Sequence, residues 1–364
     1  MDNMLREAAG KIMRLIGSKA GCIIHHWDMD GVAAAATLAM SMPTSPRFYV
    51  PPYTFKLTGE VIDEIARACR GAGALFLVDY NVPGSSLDLV WARIQKPVVS
   101  IDHHTQPDKP RKPFVIVFNP AAEGDPRQLW PSAAHVVASL TGMYKPLLVA
   151  LSIVGDLREK ARANRVFQKY MVEAGMNHIR DFDIMAECVS QVMAADIMGR
   201  RDILVHLASR LSSPDTDPCM LLLQDGLLSA LRSRAEEEYR ELYSKAEEKA
   251  GDIGSARIYR LEGYGRHVST LARELARRHP DRIVVVVYYW IPFNRTYIYV
   301  RTEKEKPRLI DLAETARAYG ITAGGKYQPG NNVVGMELAG RVGEDVVEKI
   351  VSWITRLPGR SRIE

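Results

Sequence analysis

The chain has 364 residues, 47% of them apolar and 25% charged, with a formal net charge of +5 and a pI near 8.9. That length allows two or three domains, no stretch approaches the ~20 apolar residues of a membrane span, and no basic tail or block singles out an anionic partner by charge alone. The four cysteines, Cys22, Cys69, Cys188 and Cys219, are scattered without CxxC spacing, which argues against a zinc knuckle and a disulfide framework and fits a reducing, cytoplasmic compartment.

The opening segment "MDNMLREAAGKIMRLIGSKAG" spaces its apolar residues as a helix does, unlike a signal segment. "GCIIHHW" then predicts a strand and "GVAAAATLAMSM" a helix; "RFYVPPY" is a second apolar segment and "TGEVIDEIARACRG" a second helix. "ALFLVDYN" and "PVVSIDHH" are short β-rich runs that each reach a carboxylate, followed by "PFVIVFNP", "PSAAHVVASLTG" and "KPLLVALSIVGDL". This alternation predicts an α/β fold with a parallel sheet covered by helices. Its binding site is expected beyond the carboxyl ends of the strands.

From Arg158 to Lys249 the β signal fades into helical patterns. "SRAEEEYRELYSKAEEKAG" is highly charged and predicts a solvent-exposed connector helix over 231–252, supported by i,i+4 pairs and ended by Gly251. The first domain is therefore expected over 1–230, its core strands within 1–160 and a helical part over 161–230. A second, smaller α/β domain over 253–364 reads as "ARIYRLEG", "HVSTLARELARRHP", the strand pair "RIVVVVYYWIP" and "RTYIYVRT", the helix "RLIDLAETARAYG", the glycine-rich turn and strand "TAGGKYQPGNNVVGMEL", and the helix "EDVVEKIVSWITRL".

Chemistry-bearing residues gather at four expected strand ends: His26, Asp28 and Asp30 in "HWDMDG"; Asp79 after "LFLV"; Asp102-His103-His104 after "VVSI"; and Asp156 after "ALSIVG". Along an extended chain, residues two apart point to one side, so His26, Asp28 and Asp30 are expected to converge. Four of the nine histidines, His25, His26, His103 and His104, lie in or directly beside just two of these motifs. So many carboxylates would repel one another unless divalent cations were present. Mixed imidazole and carboxylate ligands suit Mn²⁺ or Zn²⁺ better than Ca²⁺, and two metals sharing a carboxylate suit the ligand number. Two such ions can activate a water and stabilise a leaving phosphoryl oxygen.

These motifs resemble those of the DHH phosphoesterase superfamily: "HWDMDG" its H-x-D-x-D-G, Asp79 its second motif, "DHH" its third and "GD" its fourth. "FNP" and "PSAAHVV" resemble the stretch after the third motif, and the second half resembles the DHH-associated C-terminal domain. The resemblance implies an active, metal-dependent phosphoesterase with its active-site cleft between the two domains. It implies one Mn²⁺ on His26, Asp28 and Asp79, and another on Asp30, Asp79, His103 and Asp156, with Mg²⁺ as the alternative metal. His104 would meet the scissile phosphate, and Asp102 would hold the histidine pair.

The family's usual G-G-H is Gly324-Gly325-Lys326 here, followed by Gln328 and Asn331-Asn332. Lys326 can meet a phosphate as a point charge, and backbone N–H groups of a glycine-rich turn can cradle one; Asn331 and Arg301 are further substrate-binding candidates, with Arg266 and His267 weaker ones. The expected substrate is single-stranded DNA or RNA cleaved by a RecJ-like exonuclease, with bases stacked on aromatics such as Tyr288, Tyr289, Trp290 or Tyr327. Alternatives are short oligonucleotides, bisphosphate nucleotides or cyclic dinucleotides, or a replication scaffold that keeps its metal site and binds replication or repair proteins.

Overall fold

The computed structural model describes residues 3–54, 57–104, 108–121, 128–305, 307–328 and 331–357. They form two units, Met1–Asp196 with Arg200–Arg232, and Ile197–Gly199 with Ser233–Glu364.

The first unit begins α1 (Asn3–Ser18), β1 (Gly21–His25), α2 (Met29–Met40), β2 (Arg47–Tyr49), α3 (Gly59–Ala68), β3 (Ala74–Val78), α4 (Gly84–Ile94), β4 (Val98–Ile101) and β5 (Val115–Phe118). It continues as α5 (Ala133–Thr141), α6 (Pro146–Leu157), α7 (Arg165–Glu173), α8 (Phe182–Ile197), α9 (Arg201–Leu211) and α10 (Pro218–Gln224). The five strands form one parallel sheet in the order β2-β1-β3-β4-β5. Every residue of β1, β3 and β4 is buried. Successive strand side chains point to opposite faces, so both faces of the sheet are covered.

Two sequence expectations fail in this unit. The run "PLLVALSIVGDL" is the helix α6, with Pro146 in its first turn, so Asp156 lies in the last turn of a helix rather than at a strand end. A continuous apolar run fits a buried helix and a buried strand equally well. Cys22 of β1 and Cys69, which caps the end of α3, form a disulfide across 47 residues of sequence, with Cα atoms 5.5 Å apart. The pairing carries no local spacing signal, because packing of α3 beside the sheet brings the two together.

The helix α11 (Gly226–Lys245) contains the boundary between the units and ends at Lys245; Gly251 lies not at a helix end but in the strand β6 (Ala250–Ile253). The second unit continues with β7 (Ala256–Gly263), α12 (Val268–Arg278), β8 (Ile283–Trp290), β9 (Arg295–Thr302), α13 (Ile310–Ala318), β10 (Thr322–Gln328), β11 (Asn331–Ala339) and α14 (Glu344–Arg356). Its sheet runs β10-β11-β9-β8-β7-β6. Only the β7–β8 pair is parallel among these strands. Ile258, Val285, Ile298, Val300, Val334 and Met336 pack from one face against Leu312 and Ala316 of α13 and Ile350 and Ile354 of α14.

Gly324-Gly325-Lys326 therefore lies in an edge strand, not a turn. At Gly325 a Cβ would sit 2.3 Å from the Val333 carbonyl oxygen, so only glycine permits this approach of β10 to β11.

Candidate metal centre

Strand order reverses at β1, which has β2 on one side and β3 on the other. Ligand sites of open α/β sheets lie beyond the carboxyl ends of the strands at such a point. β1, β3 and β4 all deliver their polar residues there. The chain does not stay extended after β1, as the two-residue spacing suggested. Asp28 is instead the N-cap of α2, its Oδ1 accepting the Gly31 N–H at 3.0 Å, and Asp30 sits in the first helical turn. Gly31 is required, because a Cβ there would lie 2.4 Å from the His26 carbonyl oxygen.

Asp30 reaches across the fold. Its carboxylate accepts the Ala133 and Ala134 N–H groups at 2.7 and 3.0 Å, at the open N-terminus of α5. Asp79 follows β3 with a left-handed φ of 55°, a conformation that Asp and Asn tolerate better than most side chains.

His103 donates Nδ1–H to the Trp130 carbonyl at 3.1 Å, the role an acceptor-only carbonyl imposes. Its Nε2 then faces Asp156 at 3.1 Å, Asp30 at 3.5 Å and Asp79 at 3.7 Å. A backbone hydrogen bond on one ring nitrogen, with the other aimed at carboxylates, is the usual orientation of a metal-binding imidazole. His26 Nδ1 lies 2.8 Å from Asp28 and 3.8 Å from Asp79.

Asp102 Oδ1 accepts the His103 and His104 N–H groups at 2.7 and 2.8 Å and lies 2.9 Å from His104 Nδ1. Asn119, buried, donates its side-chain N–H to the His104 carbonyl. His25 is wholly buried, with Nδ1 2.7 Å from the His26 carbonyl, and burial pushes its imidazole down to about 4, so it is neutral.

Burial and the neighbouring Asp156 charge push the Asp30 carboxyl up to about 8. Burial, followed by the charges of Asp30 and Asp28, holds Asp79 well above the usual carboxylate range. Burial would also raise Asp156, but the hydrogen bond and charge of His103 outweigh it and lower that carboxyl. His103 is correspondingly lifted to about 9: burial opposes its charge, and Asp156 prevails. Burial opposes the ionised forms of Asp28 and Asp102 too, but His26 holds Asp28 low and His104 holds Asp102 low.

The donor set fits divalent cations. Ligand atoms of His26, Asp28 and Asp79, of Asp79, His103 and His104, and of Asp30, His103 and Asp156 each lie within 4.8 Å of one another. Asp79 and His103 each belong to two of these groups; Asp79 Oδ1 is buried without a hydrogen-bond partner, and His103 Nε2 faces the carboxylates of Asp156, Asp30 and Asp79. Cations would relieve the repulsion among these carboxylates and coordinate both atoms.

Sequence reasoning gave no role to Asn119 or to the Trp130 carbonyl, although "FNP" and the residues before "PSAAHVV" carried the signal. In the second unit, Lys326, Gly324 and Gly325 are exposed on β10, and Arg301 is buried on β9 with Nε 3.5 Å from Glu303. Asn331 begins β11, but its side chain lies outside the described residues. The adjacent Asn332 is buried, bonding Leu309 N–H and the carbonyls of Lys304 and Pro307, so it pins a loop. Tyr288 and Trp290 are fully buried, donating to the Gly265 and Tyr264 carbonyls, whereas Tyr327 is 40% exposed. His267 is buried beside Glu238, with Nε2 to Oε2 at 3.5 Å.

No family model and no curated protein matches the sequence. Solved structures do match. RecJ from Thermus thermophilus in complex with Mn²⁺ aligns with 99% of this chain at a TM-score of 0.68 and 16% identity, and the chain spans 56% of that protein's length. An exonuclease RecJ bound to manganese aligns with 98% at a TM-score of 0.61 and 18% identity, covering 95% of that chain. The DHH domain of a member of the s1p family of ribosomal proteins aligns with 98% at a TM-score of 0.67 and 14% identity, covering 91% of that chain. The chain shares the two-domain α/β fold of these RecJ and DHH-domain structures.

Proposed function

We propose that the protein is a Mn²⁺-dependent phosphodiesterase that hydrolyses single-stranded nucleic acid in the manner of a RecJ-like exonuclease. The observation that carries this reading is the sharing of Asp79 between ligand groups on the His26–Asp28 side and the His103–His104 side. The similar structures, a manganese-bound RecJ exonuclease among them, support the same chemistry.

In this reading His26, Asp28 and Asp79 hold one cation, and Asp30, Asp79, His103 and Asp156 the other. Bound there, the ions would polarise a phosphoryl oxygen and lower the pKa of a water. Asp102, ionised and able only to accept, fixes the Nδ1–H tautomer of His104. The other nitrogen, Nε2, is left as an acceptor and takes a proton from the attacking water. The water oxygen bonds to phosphorus, the P–O bond to the leaving nucleotide breaks, and the proton held on Nε2 passes to that leaving oxygen. Lys326, Arg301, Asn331 and the backbone of Gly324 and Gly325 are the proposed substrate contacts. The two units correspond in this reading to a catalytic domain over 1–230 and a substrate-binding domain over 253–364.

The test is incubation with Mn²⁺ or Mg²⁺ and end-labelled single-stranded DNA and RNA, beside an Asp79→Asn variant. Stepwise shortening from one end, absent in the variant and on chelation, is expected. An intact strand with every metal tried would overturn the reading.

A further inference from the structure

Cross-strand register brings an aromatic ring and two cations together on one face of the second sheet. Gly324 of β10 pairs with Gly335 of β11, which pairs with Tyr299 of β9; in the next row, Lys326 pairs with Val333 and Val333 with Arg301. Directly paired antiparallel residues share a face, as do residues two apart along a strand. Tyr299, Arg301, Gly324 and Lys326 therefore share the face opposite the one that Val300 and Val334 pack against α13 and α14.

The two glycines shape this surface. A Cβ at Gly335 would meet the Tyr299 ring at 3.1 Å, so the half-buried ring lies directly over the bare backbone of Gly335. A Cβ at Gly324, the next position in the row, would meet nothing within 4 Å. An open step with an exposed backbone floor thus adjoins the edge of an aromatic ring, and the next row supplies the exposed ammonium of Lys326 and the guanidinium of Arg301. An inorganic anion needs only the cations. The ring adds a flat apolar surface in the residue row next to theirs.

We propose that Tyr299 is a specificity-determining residue that stacks on the nucleobase of the nucleotide whose phosphate Lys326 and Arg301 contact. This rests on the phosphodiesterase reading above and assigns the residue that contacts the base of its substrate. The competing structural role is packing alone, since an aromatic residue over a cross-strand glycine also restores lost sheet stability.

The full chain with Mn²⁺ is assayed on a dinucleotide and on its abasic counterpart, in which the sugar–phosphate is intact and the base is missing. Stacking on an aromatic side chain is worth ~1–3 kcal/mol per base, roughly 5- to 150-fold in affinity. Tyr299→Ala should raise KM for the dinucleotide within that range, leave its kcat near wild type, and leave the abasic substrate within about 2-fold; Tyr299→Phe should behave as wild type. Equal losses on both substrates, or no loss on either, would overturn the proposal. Calorimetric binding of dAMP against deoxyribose 5-phosphate needs no turnover. Wild type should prefer dAMP and Tyr299→Ala should not, while a wild type without preference also overturns it. A protein that prefers dAMP but cleaves neither dinucleotide refutes the phosphodiesterase reading and leaves the stacking role standing.

Discussion

Asp102 holds His104 at two points, accepting its backbone N–H at 2.8 Å and its ring Nδ1–H at 2.9 Å on the same carboxylate oxygen. The same oxygen also accepts the His103 N–H, so one buried carboxylate sets the backbone of the histidine pair and the tautomer of its second ring. Asp102→Asn keeps a carbonyl acceptor but loses the charge that fixes that tautomer. The variant should fold, bind Mn²⁺ with near wild-type affinity by calorimetry, and lose ~10²-fold or more in kcat. Loss of metal binding in step with activity would show that Asp102 acts on the metal ligands instead.

Asp79 is crowded by Asp30, Asp28, Asp102 and Asp156. Asparagine is nearly isosteric and tolerates the left-handed backbone. Without metal, Asp79→Asn should therefore be more stable than wild type, by about 2–4 °C for relief worth ~1 kcal/mol. Adding Mn²⁺ should raise the wild-type Tm by mass action and leave the variant unchanged. Melting curves with and without a chelator decide this.

The Cys22–Cys69 disulfide closes a loop spanning 47 residues of sequence, which by loop entropy stabilises the fold by about 4 kcal/mol. Cys22→Ser/Cys69→Ser should lower the Tm by several degrees. Thiol titration of the denatured, unreduced protein should find two reactive cysteines in wild type, those of Cys188 and Cys219. Four reactive thiols and an unchanged Tm would show that the bond does not form.

Glu247 offers one oxygen to His279 Nε2 at 2.8 Å and the other to the Arg257 guanidinium at 2.6 Å. Burial opposes its charge, but the hydrogen bonds from His279 and Arg257 outweigh burial and draw the carboxyl down to about 2. A carboxyl lowered by folding stabilises the native state above its unfolded pKa, near 4.5, and loses that contribution as pH falls towards 2. Glu247→Gln should therefore melt below wild type at pH 7, with the gap closing towards pH 2. A gap of constant size would assign the effect to packing.

The parallel sheet and the residues proposed for the centre were legible in the chain alone, because both rest on local patterns. Short apolar runs bounded by turns read as buried strands, and clustered His and Asp residues at the ends of β1, β3 and β4 have no use in a core. Tertiary structure alone decided how those residues are held. Asp30 is fixed by the N–H groups of Ala133 and Ala134, more than a hundred residues away, and His103 by the Trp130 carbonyl. Asp156 arrives on a helix that the sequence left indistinguishable from a strand, and the glycine-rich segment became an edge strand because Gly325 lets β10 close on β11. Periodicity records which face of an element is buried; it does not record which distant donor meets a side chain or which cysteine meets another, because packing between elements makes those choices.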